Sequence, residues 1–325
     1  MKRISRKEAM KYGFNRHDEP VLRVREGEVF AVETEDAFSG YLRSEDRLPI
    51  IEHLPVLKFN PPKGNPMAGP VYIEGARKGD LLVVNIKEII PDKQGVTAFC
   101  GGRGPLGDSK KWEILSEPYT HILKHLPGPS GTTRDGRAVF NDKITWDLHP
   151  FIGTIGVAPE FEVETSVVGQ GSWGGNLDSR DIKEGTKVYI NCYHDGGLLY
   201  VGDVHGTQGD TEFYGAADET RAEVTLSCNV IKNKVIPFLR LEKKESIVSL
   251  YSYRPLEEAV ERAIIYLMEW MVEEYGVSER EAYMHVCINP EFRVNIYQMV
   301  KLGRIQYTVG AEIPKKYLVA EYGSR

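Results

Sequence analysis

The stretch Leu199-Tyr-Val-Gly-Asp-Val-His-Gly-Thr-Gln-Gly-Asp-Thr-Glu212 begins as an apolar strand and breaks into glycines, crowding Asp203, His205, Asp210 and Glu212 into a short span. On a strand, Asp203 and His205 sit two apart and face the same side. Asp210 and Glu212 repeat that spacing beyond the Gly-Thr-Gln-Gly link, so a bend there brings both pairs into one pocket. Carboxylates and an imidazole this close are costly unless a cation or a proton-transfer task uses them. A polar hairpin at a sheet edge has the same spacing.

Outward from this stretch the chain keeps a β texture up to about residue 250. Val29-Phe-Ala-Val-Glu33, Leu81-Leu-Val-Val-Asn-Ile86, Lys187-Val-Tyr-Ile190 and Glu223-Val-Thr-Leu-Ser-Cys228 are rich in β-branched and aromatic residues, with Gly, Pro and Asp clusters between them. Arg25-Glu-Gly-Glu, Arg77-Lys-Gly-Asp and Lys183-Glu-Gly-Thr each place glycine in a polar turn before a strand, where positive φ is expected. This is either a duplicated β unit or one turn solution used three times. Beyond residue 250, Leu256, Val260, Ile264, Leu267 and Met271 recur at helical spacing between Pro255 and Gly276, which predicts a long amphipathic helix with its stripe toward the core. Ser278 and Glu281 form a capping-box pattern for a second helix from Glu279 to about Val286. Phe292 to Val300 reads as a strand, and Tyr307 to Leu318 closes the chain. The expected division is a β body over residues 1–250 and a smaller α/β part over residues 251–325.

The net charge of −6 over 325 residues, with no basic run, argues against a nucleic-acid partner. No segment reaches the roughly 18 consecutive apolar residues of a membrane span. The first residues, Met1-Lys-Arg-Ile-Ser-Arg-Lys-Glu8, lack the apolar stretch of a signal peptide. The expected location is the cytoplasm, away from any membrane. Cys100, Cys192, Cys228 and Cys287 are far apart and form no CxxC pair, so reduced thiols are expected.

Three further segments carry chemistry. Pro150-Phe-Ile-Gly-Thr-Ile-Gly-Val-Ala-Pro159 sets Gly153 and Thr154 in a composition that can turn N–H groups inward to an oxyanion. It can equally be a strand whose glycines permit close packing. In Gly171-Ser-Trp-Gly-Gly-Asn-Leu-Asp-Ser-Arg-Asp181 the glycine pair allows a tight approach, after which Asn176 and Asp178 offer oxygen ligands, or the segment is an Asx-rich turn. Asn65-Pro-Met-Ala-Gly-Pro-Val-Tyr-Ile-Glu-Gly-Ala76 ends a strand on Glu74, either a general base or the start of a turn.

Together, NPMAGPVYIEGARKGD, PFIGTIGVAPE, GSWGGNLDSRD and LLYVGDVHGTQGDTE closely resemble the acetamidase/formamidase family in order and composition, and the resemblance extends over almost the whole chain. It implies hydrolysis of short aliphatic amides to a carboxylate and ammonia. It also implies a mainly β fold, a jelly-roll-like β-sandwich body with a smaller C-terminal α/β part, assembly as a homodimer, and a bound divalent metal. Matched motif by motif, it carries functional expectation onto Glu74, Asp178, Asp203, His205, Asp210 and Glu212, with Asp36 as a further acidic candidate. Val204 and Thr211 stand where the family pattern has glycines, Tyr214 where a smaller residue is expected, and residues 110–134 also depart.

Amide hydrolysis needs an activated nucleophile, a stabilised oxyanion and a proton for the departing nitrogen. A divalent ion on Asp178, Asp203 and His205, with Asp36 as a further ligand, supplies the first two. Zinc and calcium both suit such donors. Glu74, Asp210 and Glu212 are then the proton carriers. Gly153 and Thr154 face the oxyanion, and Trp173, Asn176 and Tyr214 wall the substrate pocket. The rivals are a thiol mechanism, with Cys192 and His194 two apart on a strand, and a non-catalytic jelly roll that binds metal or a small ligand.

Overall fold

The computed structural model describes residues 1–318; residues 319–325, the end of the expected C-terminal part, lie outside the described residues. The architecture is mainly β, a large curled sheet closed around an aliphatic core, with two helices near the C-terminus. Its spine is the long strand Leu81–Phe99, which pairs along its length with Glu219–Ile231, at one end with Lys187–Asn191 and at the other with Tyr119–Leu126. Leu82, Val84 and Ile86 alternate into the core, as the two-residue period of a strand requires. Register shifts between Thr220 and Ala222 and between Thr225 and Leu226 bend this pair. Among the described residues all strand pairing is antiparallel except Lys2–Ile4 beside Val29–Thr34 and Leu22–Val24 beside Met67–Ile73.

The three recurring turns share one conformation. Gly27, Gly79 and Gly185 have φ of +74°, +88° and +84°, while a Cβ at each would meet open space. Backbone conformation, not crowding, therefore selects glycine there.

The strand Leu199–His205 is buried throughout and lies between Phe151–Val157 and Met67–Ile73. It is an interior strand, and a hairpin at a sheet edge is excluded. Phe151–Val157 is likewise paired on both edges, by Leu199–His205 and by Gly174–Asn176. Its glycines serve close packing, and its N–H groups belong to the ladder instead of forming an inward-facing anion loop.

The helix Leu256–Tyr275 ends on Gly276 in the left-handed region and packs on the strands Ser246–Tyr253 and Tyr307–Pro314. Its buried line is Ala259, Ala263, Leu267, Trp270 and Met271, with Leu256, Val260 and Ile264 flanking half-buried. The stripe is thus rotated from the expected one, because the two alanines let the helix axis approach the sheet. In the second helix, Glu279–Ile288, the Ser278 hydroxyl accepts from the Glu281 N–H and the Ser278 N–H donates to the Glu281 carboxylate, as the capping box predicts. The strand Arg293–Gln298 then pairs with Tyr307–Pro314 and carries Tyr297 and Gln298 back against the body. Among the described residues no helix is long and apolar enough to cross a membrane.

Candidate active site

Four buried side chains meet at the end of the interior strand. His205 Nε2 lies 3.5 Å from Asp203 Oδ1, 3.2 Å from Glu219 Oε2 and 4.0 Å from Asp178 Oδ1. None of these four atoms has a hydrogen-bond partner. The other oxygen of each carboxylate is tied to the protein. Asp203 Oδ2 accepts from Asn65 Nδ2 at 2.9 Å and lies 3.0 Å from the Thr154 hydroxyl. Glu219 Oε1 accepts from the Ala217 N–H, and Asp178 Oδ2 accepts from Gln298 Nε2. Glu212 joins on a further side, within ligand reach of His205 and Glu219.

The ring of His205 is held by Gln208. The Gln208 amide nitrogen donates to the carbonyls of Asp178 and Tyr297, at 3.0 and 2.9 Å, which leaves its oxygen facing His205 Nδ1 at 2.9 Å. Nδ1 must then carry the proton, and Nε2 turns its lone pair, or a second proton, toward the carboxylates. Such outer hydrogen bonds fix the tautomer of a metal-binding histidine. Asp178, Asp203 and His205 place their ligand atoms within 4.8 Å of one another, as do His205, Glu212 and Glu219, and orphaned oxygens beside an imidazole nitrogen form a donor set that fits a divalent cation.

Charge makes the same point. Among the described residues no lysine or arginine pairs with Asp178, Asp203, Glu212 or Glu219; His205 is their partner. Burial and the neighbouring Asp203 push the Asp178 carboxyl up to about 7, against the pull of His205. Burial and Asp178 raise Glu212 well above the usual carboxylate range. Burial also raises Glu219, with His205 opposing. Burial alone would lower His205, but Glu219 and Asp203 outweigh it and raise the imidazole well above its ordinary value. Burial is the largest cause of the three carboxyl shifts, and neighbouring negative charge adds to it.

Gly153 lies against this cluster. A Cβ there would come within 2.7 Å of the Asp203 carbonyl, 2.8 Å of Asp178 Oδ1 and 2.9 Å of Asp203 Oδ2. The Thr154 hydroxyl also lies 3.0 Å from Asn176 Oδ1, and Asn176 Nδ2 donates to the Val167 carbonyl. Asp178, Asp203, Thr211 and Glu212 all have positive φ, of 46°, 55°, 72° and 46°. For residues with a Cβ this conformation is strained, and strain of this kind gathers at functional sites.

The structure brings together Asp178, Asp203, His205 and Glu212, with Gly153, Thr154 and Asn176 beside them. It does not bring the others. Glu74 is exposed at the far end of the strand whose near end, at Met67, pairs with Gly202. Asp210 is exposed and paired with Arg180, because left-handed Thr211 reverses the chain and sends only Glu212 inward. Asp36 is buried in a separate group with Glu35, Arg43 and Arg221, where it accepts from the N–H groups of Phe38 and Gly40. Trp173 packs edge-on against Phe161, away from the carboxylates. Glu219, Gln208, Asn65 and Gln298 are the participants that sequence reasoning missed.

The cluster floors a cavity of about 420 Å³ whose other walls are mostly aliphatic. Ala98 faces it, while Thr97 and Phe99, on the opposite face of the same strand, line a separate aromatic cavity with Tyr214. Tyr214 is absent from the lining of the cavity over the carboxylates and lines, with Glu212 and Asp210, a neighbouring one.

A curled β body enclosing a buried carboxylate and imidazole centre beneath an apolar cavity defines a small-molecule site. Matches to the acetamidase/formamidase family model over residues 2–170 and 165–315 cover nearly all of the chain, which belongs to this family. The acetamidase of Mycolicibacterium smegmatis is 25% identical over 248 residues, 60% of this chain and 59% of that protein. The chain spans about three fifths of the length of the curated relatives it matches. Among solved structures, the acetamidase of Bacillus halodurans superposes with a TM-score of 0.84 at 29% identity, over 97% of this chain and 98% of that one. The acetamidase of Yersinia enterocolitica gives 0.83 at 32% identity, over 97% and 91%.

Proposed function

We propose that the protein hydrolyses linear carboxamides of the short aliphatic type, releasing a carboxylate and ammonia, with a divalent cation held by Asp178, Asp203, His205 and Glu219. The observation that carries this is the gathering of unpartnered Asp178 Oδ1, Asp203 Oδ1 and Glu219 Oε2 within 4.0 Å of the unpartnered His205 Nε2 in one buried space. When bound, such an ion supplies Lewis acidity toward the carbonyl oxygen and lowers the pKa of water. Imidazole nitrogen in the donor set favours zinc over calcium, which takes oxygen ligands.

Gln298, Asn65 and the Ala217 N–H each restrain one carboxylate oxygen, so the free oxygens stay near His205 Nε2. Glu212, its carboxyl raised by burial and by Asp178, is the group placed to carry a proton to the departing nitrogen. A thiol nucleophile fits poorly. Burial and Asp80 push Cys192 up to about 12, and His194 Nε2 is engaged with the Pro159 carbonyl at 2.8 Å.

The test is ammonia release from formamide, acetamide and propionamide, with metal content measured alongside, before and after chelation. Loss with the metal and recovery on adding zinc is expected. Full turnover by demonstrably metal-free protein would refute the metal role.

A further inference from the structure

The cavity over the carboxylates is much larger than the amides named above. Its volume of about 420 Å³ compares with about 10–15 Å³ of the same kind of space for one water-sized group. Acetamide, with about four such groups, would leave most of it to water. Its lining joins Asp178, Asp203, Glu212 and Glu219 to the aliphatic Leu54, Val56, Leu57, Val300, Leu302 and Ile305, with Lys63 and Arg103 the cations among the lining residues. The lining also includes the small Ala98, Gly215 and Ala216. A pocket shaped for one or two carbons would put bulk at these positions. An apolar wall offers a one-carbon acyl group nothing, whereas each methylene it covers is worth about a fourfold gain in binding.

We propose that the preferred substrate is a primary amide with an apolar acyl chain of about six carbons, its amide head at the carboxylates and its chain along the Leu54 to Ile305 wall. This rests on the amide-hydrolase reading of the same centre and sharpens its substrate class. Leu57 and Leu302 are the specificity-determining residues best placed for a test, because both are half-buried and can be enlarged without disturbing the core.

The experiment is kcat/KM for ammonia release along formamide, acetamide, butyramide and hexanamide with the wild type, Leu302→Trp and Leu57→Trp, together with calorimetric binding of hexanamide. A rise on the order of a hundredfold from acetamide to hexanamide is expected. The tryptophan variants should erase that rise, cutting kcat/KM for hexanamide far more than for acetamide, a split between two substrates that general misfolding would not produce. Highest kcat/KM on formamide or acetamide, with hexanamide poor, would overturn the chain-length proposal and leave the hydrolase reading intact. Hexanamide binding that the tryptophans abolish, without ammonia from any amide, would support the ligand class and remove the hydrolase reading. Absence of both turnover and binding would overturn both.

Discussion

Replacing Gly153 with alanine adds a single methyl group at the point where two of the proposed ligands come closest to the backbone. Gly153 does not need a left-handed backbone, so alanine adds no conformational strain and the effect is steric alone. The new Cβ would sit 2.8 Å from Asp178 Oδ1 and 2.9 Å from Asp203 Oδ2, closer than carbon and oxygen can pack, and either the carboxylates or the strand must move. Overpacking of this kind costs about 1–3 kcal/mol. Over 325 residues the unfolding entropy is about 0.7 kcal/mol/K, so the melting temperature should fall by about 2–4 °C. The effect on turnover should be larger, about a hundredfold, because catalytic geometry tolerates displacement poorly. Gly156→Ala is the control. Its Cβ would be as crowded, 2.7 Å from the Trp173 carbonyl and 3.0 Å from Phe14 Cε1, but by groups outside the cluster. Calorimetric melting, bound metal and ammonia release should therefore show similar destabilisation in both variants, with metal and activity lost only in Gly153→Ala. Full metal content and activity in Gly153→Ala, or equal losses in both, would refute the placement of the ligands.

Gln208→Leu removes the acceptor that fixes His205 Nδ1–H, and about a 10–100-fold weaker zinc affinity is expected in competition with a chromophoric chelator; an unchanged affinity would show that the amide does not orient the ring. Asp210→Asn and Glu74→Gln should keep kcat/KM within about twofold, since both residues are exposed and an exposed pair such as Asp210 with Arg180 contributes little; a large loss would place either residue in the chemistry. At Glu242, burial opposes ionisation but Lys315, Tyr189 and Lys187 prevail and hold the carboxyl at about 2. A depressed carboxylate stabilises the fold above its unfolded value, near 4.3, and that contribution is lost as pH falls toward about 2; the gap in urea midpoint between wild type and Glu242→Gln should narrow over this window, and a gap independent of pH would count against it.

The sequence signals that succeeded were local. Strand texture, glycine turns, the capping box and the Asp203 and His205 pair depend on neighbours within a few residues, and each appears in the structure where its pattern lies. What failed depended on register. Glu74 ends a motif that does reach the centre, but through Asn65, and nine extended residues separate the two by about 30 Å. Glu219 opens the next long strand and is invisible until the ladder sets it opposite His205. Gln298 comes from the C-terminal strand, and an isolated glutamine between Tyr297 and Met299 carries no signal of its own. Asp210 and Glu212 share a spacing that would face one side on a strand, but the left-handed turn at Thr211 cancels the alternation.

The fold contains its own comparison for judging the cluster. Asp36 is as buried as Asp178 and, through burial and the charge of Glu35, is also pushed up to about 7. Yet that pair is treated as buried carboxylates usually are: Arg221 binds Glu35, and Arg43 Nη1 lies 3.6 Å from Asp36 Oδ2. Among the described residues Asp178, Asp203, Glu212 and Glu219 have no such guanidinium, and three of them stand on left-handed backbone that costs about 1–3 kcal/mol each. Thr211 adds a fourth such residue where the family pattern has glycine, its carbonyl held by the Met299 N–H at 2.8 Å. A cluster serving only stability would have been neutralised by fixed cations, as at Asp36. Leaving it short of positive charge makes sense if a bound cation supplies the balance, and at about a thousandfold above its Kd such an ion stabilises the native state by about 4 kcal/mol, comparable with the strain the site imposes.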